Sequence, residues 1–167
     1  NRDSMFDLGC MHRNGEGVAQ SFQKALELLT MAADHGQIDA MYDLGVMYRD
    51  GCSDGNGQRL VQSNEKALEL FTMAAEQGQD YAMYNLGVMY HHGQGGVKQS
   101  FGKAIELYTM AAEQGHADAM FNLGNEYFHG RIVHRSYELA RKWWTKAADR
   151  GDKDAIKNLK VLDEIFP

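Results

Sequence analysis

The dipeptide Leu-Gly returns along the chain at Leu8-Gly9, Leu44-Gly45, Leu86-Gly87 and Leu123-Gly124, and a degenerate fifth copy sets Leu159 before Lys160. The leucine intervals are 36, 42, 37 and 36 residues. A period of that length marks a stack of supersecondary units, each able to bury its apolar face only against the next. The 167 residues therefore read as one linear array rather than a globule around a central core.

Within the period the apolar spacing is helical. Ala40, Leu44 and Tyr48 fall at i, i+4, i+8 with Met41 and Met47 beside them, one stripe of a first helix, A. Asp3, Asp39, Asp118 and Asp154 stand at its start, where an acid complements the helix dipole. Gly15, Gly51, Gly93 and Gly130 follow it as terminators. Ser21, Ser63, Ser100 and Ser136 are placed as N-caps of a second helix, B, which ends near Gly36, Gly78, Gly115 or Gly151. Ala104, Leu107, Tyr108, Ala111 and Ala112 form the apolar side of B in the third copy, while Lys24/Glu27, Lys66/Glu69 and Lys103/Glu106 read as its solvated face. Links this short join antiparallel neighbours. The expected fold is all-α: a right-handed α/α superhelical solenoid of four helix pairs, residues 3–38, 39–80, 81–117 and 118–153, with a capping helix at 154–165. No strand pattern competes. Glycine inside helix A is unfavourable by about 1 kcal/mol relative to alanine, so a close approach of helix B must require it.

Composition narrows the function classes. A net charge of −6 argues against a broad phosphate-binding surface, so nucleic acid is not an expected partner. No apolar run approaches the ~18–20 residues of a membrane span, and direct membrane insertion is not expected. Two cysteines, Cys10 and Cys52, at non-equivalent places favour a reducing compartment such as the cytoplasm, with an organelle lumen still compatible. Starting at Asn1 rather than methionine, the sequence reads as a single repeat domain cut from a longer chain. Its oligomeric state is not encoded in any pattern found here.

The pattern Ala82-x-x-x-Leu86-Gly87-x-x-Tyr90-x-x-Gly93, then Lys103-Ala104 and Ala111-Ala112-x-x-Gly115, resembles the Sel-one-like repeat family, a relative of the tetratricopeptide repeats. The resemblance runs in register over essentially the whole chain. It implies a superhelical scaffold for other proteins; some bacterial relatives are associated with β-lactam binding or hydrolysis. The chain departs from the pattern at His12, which replaces the repeat tyrosine, and at Met31, Met73 and Met110, where lysine is common and which Lys146 retains. Repeat 2 also carries the insertion GCSDGNGQRLVQ, readable as a tolerated surface loop or as a contact loop.

By likeness to the tetratricopeptide architecture, A helices line the concave side. The face they offer a partner then comprises Phe6, Tyr42, Tyr84 and Phe121; Val46, Val88 and Asn125; Arg13, Arg49, His91 and Phe128; and His92 and His129. Two readings of its aromatic row stand open: anchors for a peptide or helix, or packing between neighbouring A helices. Met11, Met41, Met47, Met83, Met89 and Met120 suit adaptable core filling, and Met31, Met73 and Met110 a more exposed strip.

The chemistry-bearing near-motifs fail. Gly93-Gln94-Gly95-Gly96 resembles a phosphate loop, but a Walker motif ending at Gly102-Lys103 needs glycine at Val97 and Ser or Thr at Ala104. Asp54-Gly55-Asn56-Gly57 resembles a calcium loop, yet its sixth position is Arg59. His91-His92 is adjacent rather than i, i+4, so no metal is implied. Neither a cofactor nor a catalytic set is expected. The expectation is a non-catalytic interaction scaffold that binds a protein or peptide segment; a β-lactam hydrolase, by family analogy, and a structural subunit of a larger assembly are the alternatives.

Overall fold

A computed structural model describes residues 1–53 and 59–166. Among them nine helices alternate as A and B: α1 Arg2–Asn14, α2 Phe22–Asp34, α3 Ile38–Asp50, α4 Asn64–Glu76, α5 Asp80–His92, α6 Phe101–Glu113, α7 Ala117–His129, α8 Tyr137–Ala148 and α9 Lys153–Ile165. Contacts run chiefly between consecutive helices, closest within each A/B pair. This is the all-α repeat solenoid that the period implies.

The capping is as regular as the period. The hydroxyls of Ser21, Ser63, Ser100 and Ser136 accept from the backbone N–H of the third residue on, at 3.2–3.4 Å. At the A helices the acids lie in the first turn, and the cap stands one or two residues before them: Asn1, Gln37, Gln79, His116 or Asp152. Gly15, Gly93 and Gly130 close α1, α5 and α7 in the left-handed conformation, where a side chain would be strained. One difference from the sequence reading lies in repeat 2. Two-residue strands, β1 Cys52–Ser53 and β2 Arg59–Leu60, pair antiparallel with Cys52 opposite Leu60 at the edge of the insertion. The calcium-like turn at 54–57 lies outside the described residues.

The glycine after each leucine is explained by the B helix of its own repeat. Leu29, Phe71, Tyr108 and Trp144 occupy equivalent B positions, each at most 3% exposed, and each lies directly over Gly9, Gly45, Gly87 or Gly124. A Cβ added at Gly87 would stand 2.7 Å from the Tyr108 ring, inside van der Waals contact. Hydrogen there lets the two helices close. Ala25, Ala67, Ala104 and Ala140 on the B helices and Leu44, Leu86 and Leu123 on the A helices are buried in the same core.

The methionines divide by position. Met41, Met47, Met83, Met89 and Met120 are core, whereas Met31, Met73 and Met110 are 41–47% exposed, and Met11, expected inside, is 37% exposed on α1, which among the described residues packs chiefly on α2. The lysines and glutamates on helix B are exposed as expected. Lys66 and Lys103 each lie over a repeat tyrosine, Nζ 4.8 Å from the Tyr48 ring and 4.9 Å from the Tyr90 ring. Such a cation–π contact contributes about 0.5–1 kcal/mol at exposed sites. Where His12 replaces that tyrosine, its Nδ1 lies 3.2 Å from the Ala19 carbonyl instead.

Candidate functional site

The A helices stack with their sequence-selected residues in rows, and the first two repeats use those rows largely to bridge to the repeat that follows. Arg13 pairs with Asp43 of the next repeat at 2.7 Å, and Arg49 donates to Asn85 Oδ1 at 2.5 Å. Asn85 in turn donates to the Tyr81 carbonyl at 2.8 Å. Burial, helped by the Asp43 charge beside it, pushes the Cys10 thiol up to about 11, so Cys10 is protonated and unreactive at neutral pH. The Arg49 guanidinium hydrogen-bonds Asp50 and holds that carboxyl below the usual range. Phe6 and Val46 are half-buried against the core, and Tyr42 packs on Phe71 and Tyr81 with ring centroids 5.9 Å apart.

Between the third and fourth repeats the same rows open into a cavity of about 500 Å3. Tyr84, Val88, His91, His92, Phe121, Asn125 and His129, all selected from the sequence, line it together. Phe128 does not: its ring packs at 5.3 Å on Trp144 and 5.5 Å on Tyr137, inside the α7/α8 pair. Tyr84 has a double duty. One side of its ring packs on Tyr108 at 5.8 Å and stacks on His116 at 4.6 Å, and the residue also lines the cavity. Its ring thus packs between helices, as one reading of the aromatic row has it, and also borders the cavity.

The structure adds Tyr108, Asn122, Glu126, Arg131 and Asn158 to the lining. Asn122 shares the lining with Tyr84 and Tyr108, and Asn158 donates to Asn125 Oδ1 at 3.3 Å. Sequence reasoning passed over this row, although a signal was present: Asp43, Asn85, Asn122 and Asn158 each immediately precede the repeat leucine. Burial raises the Tyr108 phenol far above its ordinary range, with Tyr84 and Glu126 adding to the effect, so the hydroxyl keeps its proton. His91 is held below the usual histidine range by burial and by neighbouring His92, and it is neutral at neutral pH. Among the described residues no group of three or more His, Cys, Asp or Glu side chains is arranged to hold a metal ion, and no helix is long and apolar enough to cross a membrane.

His116 supports the cavity from behind. It is 6% exposed and caps α7 through Nδ1, which accepts from the Ala119 N–H at 3.3 Å, so the neutral ring carries its proton on the buried Nε2. Burial lowers its pKa, with Asp118 and Asp80 opposing. The folded value thus lies below the unfolded one of about 6.5. The stability contributed by the neutral ring is full above that pH and is lost as pH falls through the folded value. Thermal melts between pH 7.5 and 5.5 are expected to show a falling Tm. His116→Gln, which installs the cap used at Gln37 and Gln79, should flatten part of that fall. An equal slope in the variant would remove His116 from the account.

The family model for the Sel1 repeat matches residues 2–37, 38–79, 80–116 and 117–152. The crystal structure of c5321, a protective antigen present in uropathogenic Escherichia coli strains and displaying an SLR fold, superposes with a TM-score of 0.86. The match is 32% identical and covers 95% of this chain and 32% of the antigen. A Sel1 repeat protein from Oxalobacter formigenes gives 0.83 at 28% identity, over 95% of this chain and 62% of that one. Immunity protein Pa5087 from Pseudomonas aeruginosa gives 0.60 at 25% identity, over 93% and 55%. The chain thus spans about a third of the first of these and about three-fifths of the second. No curated protein matches the sequence.

Proposed function

We propose that this chain, which belongs to the Sel1 repeat family, is a non-catalytic adaptor that holds a segment of a partner protein against the A-helix face between its third and fourth repeats. Proteins of the family commonly serve as protein–protein interaction scaffolds. The observation that carries the assignment of the face is the cavity of about 500 Å3 into which Tyr84, Val88, His91, His92, Phe121, Asn125 and His129 converge. Rings, amides and imidazoles on a packed helical frame suit a peptide, because the frame is already ordered and the partner bears most of the entropy of binding. The first two repeats spend their arginines on bridges to the next repeat, Arg13 to Asp43 and Arg49 to Asn85, and act as the support of that face.

The test is affinity capture from the native source followed by competition with variants. His92→Glu/His129→Glu alters two exposed rim residues and is expected to retain the helical circular dichroism spectrum while losing at least tenfold in competition. Tyr42→Ala/Tyr84→Ala is expected to lose both stability and capture, since both rings pack between helices. Unchanged capture by the rim variant would move the binding face elsewhere. Nitrocefin turnover above buffer, abolished by denaturation, would overturn the non-catalytic part of the reading.

A further inference from the structure

We propose that the cavity between the third and fourth repeats is a socket for one basic side chain, arginine or lysine, of the bound segment, with Glu126 as its counter-charge; this deepens the adaptor reading and rests on it.

Glu126 breaks the repeat at a position that otherwise belongs to the core. Its equivalents are Met11, Met47, Met89 and Leu162. Wherever a B helix precedes, these are closed off: Met47 and Met89 are 2% exposed and Leu162 is 1% exposed. In Glu126 the Oε2 atom is shut from solvent and no donor reaches it among the described residues. A buried carboxylate oxygen without a donor is strongly unfavourable. The helix facing it has changed as well, since α6 presents the hydroxyl-bearing Tyr108 where α2 and α4 present Leu29 and Phe71. The Tyr108 hydroxyl does not satisfy Glu126, since Oε2 has no hydrogen-bond partner among the described residues. The polar substitutions thus meet at one junction, and that junction is the one that opens into the cavity.

Charge and shape select the occupant. An acidic side chain would bring like charge to Glu126, and an apolar one would leave that charge without a counterpart. A guanidinium or ammonium supplies charge-assisted hydrogen bonds to the carboxylate, and Tyr84 and Phe121, which also line the cavity, give its aliphatic stem apolar surroundings. His91 is neutral at neutral pH and does not compete for this role. Arg131, exposed at the mouth, forms no ion pair with Glu126 among the described residues. It opposes a cationic guest by repulsion alone, which makes its removal diagnostic.

The probe is the capped tripeptide acetyl-Ala-Arg-Ala-amide, titrated calorimetrically and by the side-chain amide resonances of Asn125 and Asn158, with acetyl-Ala-Glu-Ala-amide and free agmatine alongside. The arginine peptide is expected to bind saturably, about tenfold more weakly to Glu126→Gln and more tightly to Arg131→Gln; a tenfold change corresponds to about 1.4 kcal/mol. Glu126→Met returns the residue of the first three repeats and is expected to melt higher than the parent while failing to bind. The socket is overturned if folded Glu126→Gln binds the arginine peptide as the parent does, or if the glutamate peptide binds better and depends on Arg131. Agmatine binding as tightly as the tripeptide would make the occupant a small amine rather than a protein segment. If rim variants abolish partner capture and Glu126→Gln does not, the adaptor reading stands and the socket falls. If arginine-peptide binding needs Glu126 while no variant alters capture, the site stands and the adaptor reading falls.

Discussion

Phe71→Ala is expected to lower the melting temperature by about 6–20 °C. The side chain is completely buried, lies over Gly45 of its own repeat, and packs on Tyr42 at 5.9 Å. Truncating a phenylalanine in such a setting costs about 3–5 kcal/mol, because the lost transfer energy is joined by a cavity that the two helices cannot collapse. For a chain of this length each kcal/mol moves Tm by about 2–4 °C. In a linear array the damage should also be directional. Each repeat contacts chiefly its neighbours, so loss at the second pair uncouples the first from the third and fourth. Hydrogen exchange is therefore expected to speed up in α1 to α4 more than in α7 to α9. Uniform exchange along the chain, or a Tm within 2 °C of the parent, would contradict the account of the interface.

Alanine at Gly87 should destabilise although alanine is the better helix former. The gain in propensity is about 1 kcal/mol. Against it stands a Cβ at 2.7 Å and 2.9 Å from two carbons of the Tyr108 ring, with the Ala104 carbonyl at 3.4 Å on the other side. The ring is 3% exposed and hemmed in by Tyr84, so it cannot step aside, and overpacking of this kind costs about 1–3 kcal/mol. A leucine at the site would be worse. Gly102 is the internal control: it sits in α6 with nothing within 4 Å of its added Cβ, and Gly102→Ala is expected to raise Tm by a few degrees. Combining Gly87→Ala with Tyr108→Leu, the residue that Leu29 supplies in the first repeat, should recover part of the loss. Additive losses in that double variant would mean that the glycine is required by something other than the facing ring.

The two substitutions explain why the sequence was so informative about architecture. Helix caps, the apolar stripe and the glycine–ring contact are short-range requirements repeated once per unit, so each leaves its mark at the same interval. Ser21, Ser63, Ser100 and Ser136 cap where their spacing places them. The two-residue strand pair at Cys52 and Leu60 left no periodic mark because it belongs to a single insertion.

The candidate face was legible only in part. Equivalent positions nominated Tyr84, Val88, His91, His92, Phe121, Asn125 and His129, which do meet at one cavity. The same logic nominated Arg13 and Arg49, and nothing in a periodic count distinguishes an arginine that faces a partner from one that bridges to Asp43 or Asn85 in the next repeat. Phe128 was similarly indistinguishable from its row, although its ring lies against Trp144.

The sequence by itself determined the repeat, the alternation of helices, their caps and the identity of the glycines that let them close, because those depend on residues a few positions apart or one period apart. Only the tertiary structure decided which rows are consumed between repeats and which remain open. Glu126 shows why. As one letter it is an acidic residue on a helix, unremarked in a chain with 23 acids. Packed against α6, in the slot that Met47 and Met89 fill in the two preceding repeats, its Oε2 atom lies where water does not reach. Burial and the absence of a donor are properties of the surroundings, and the surroundings exist only once the helices have stacked.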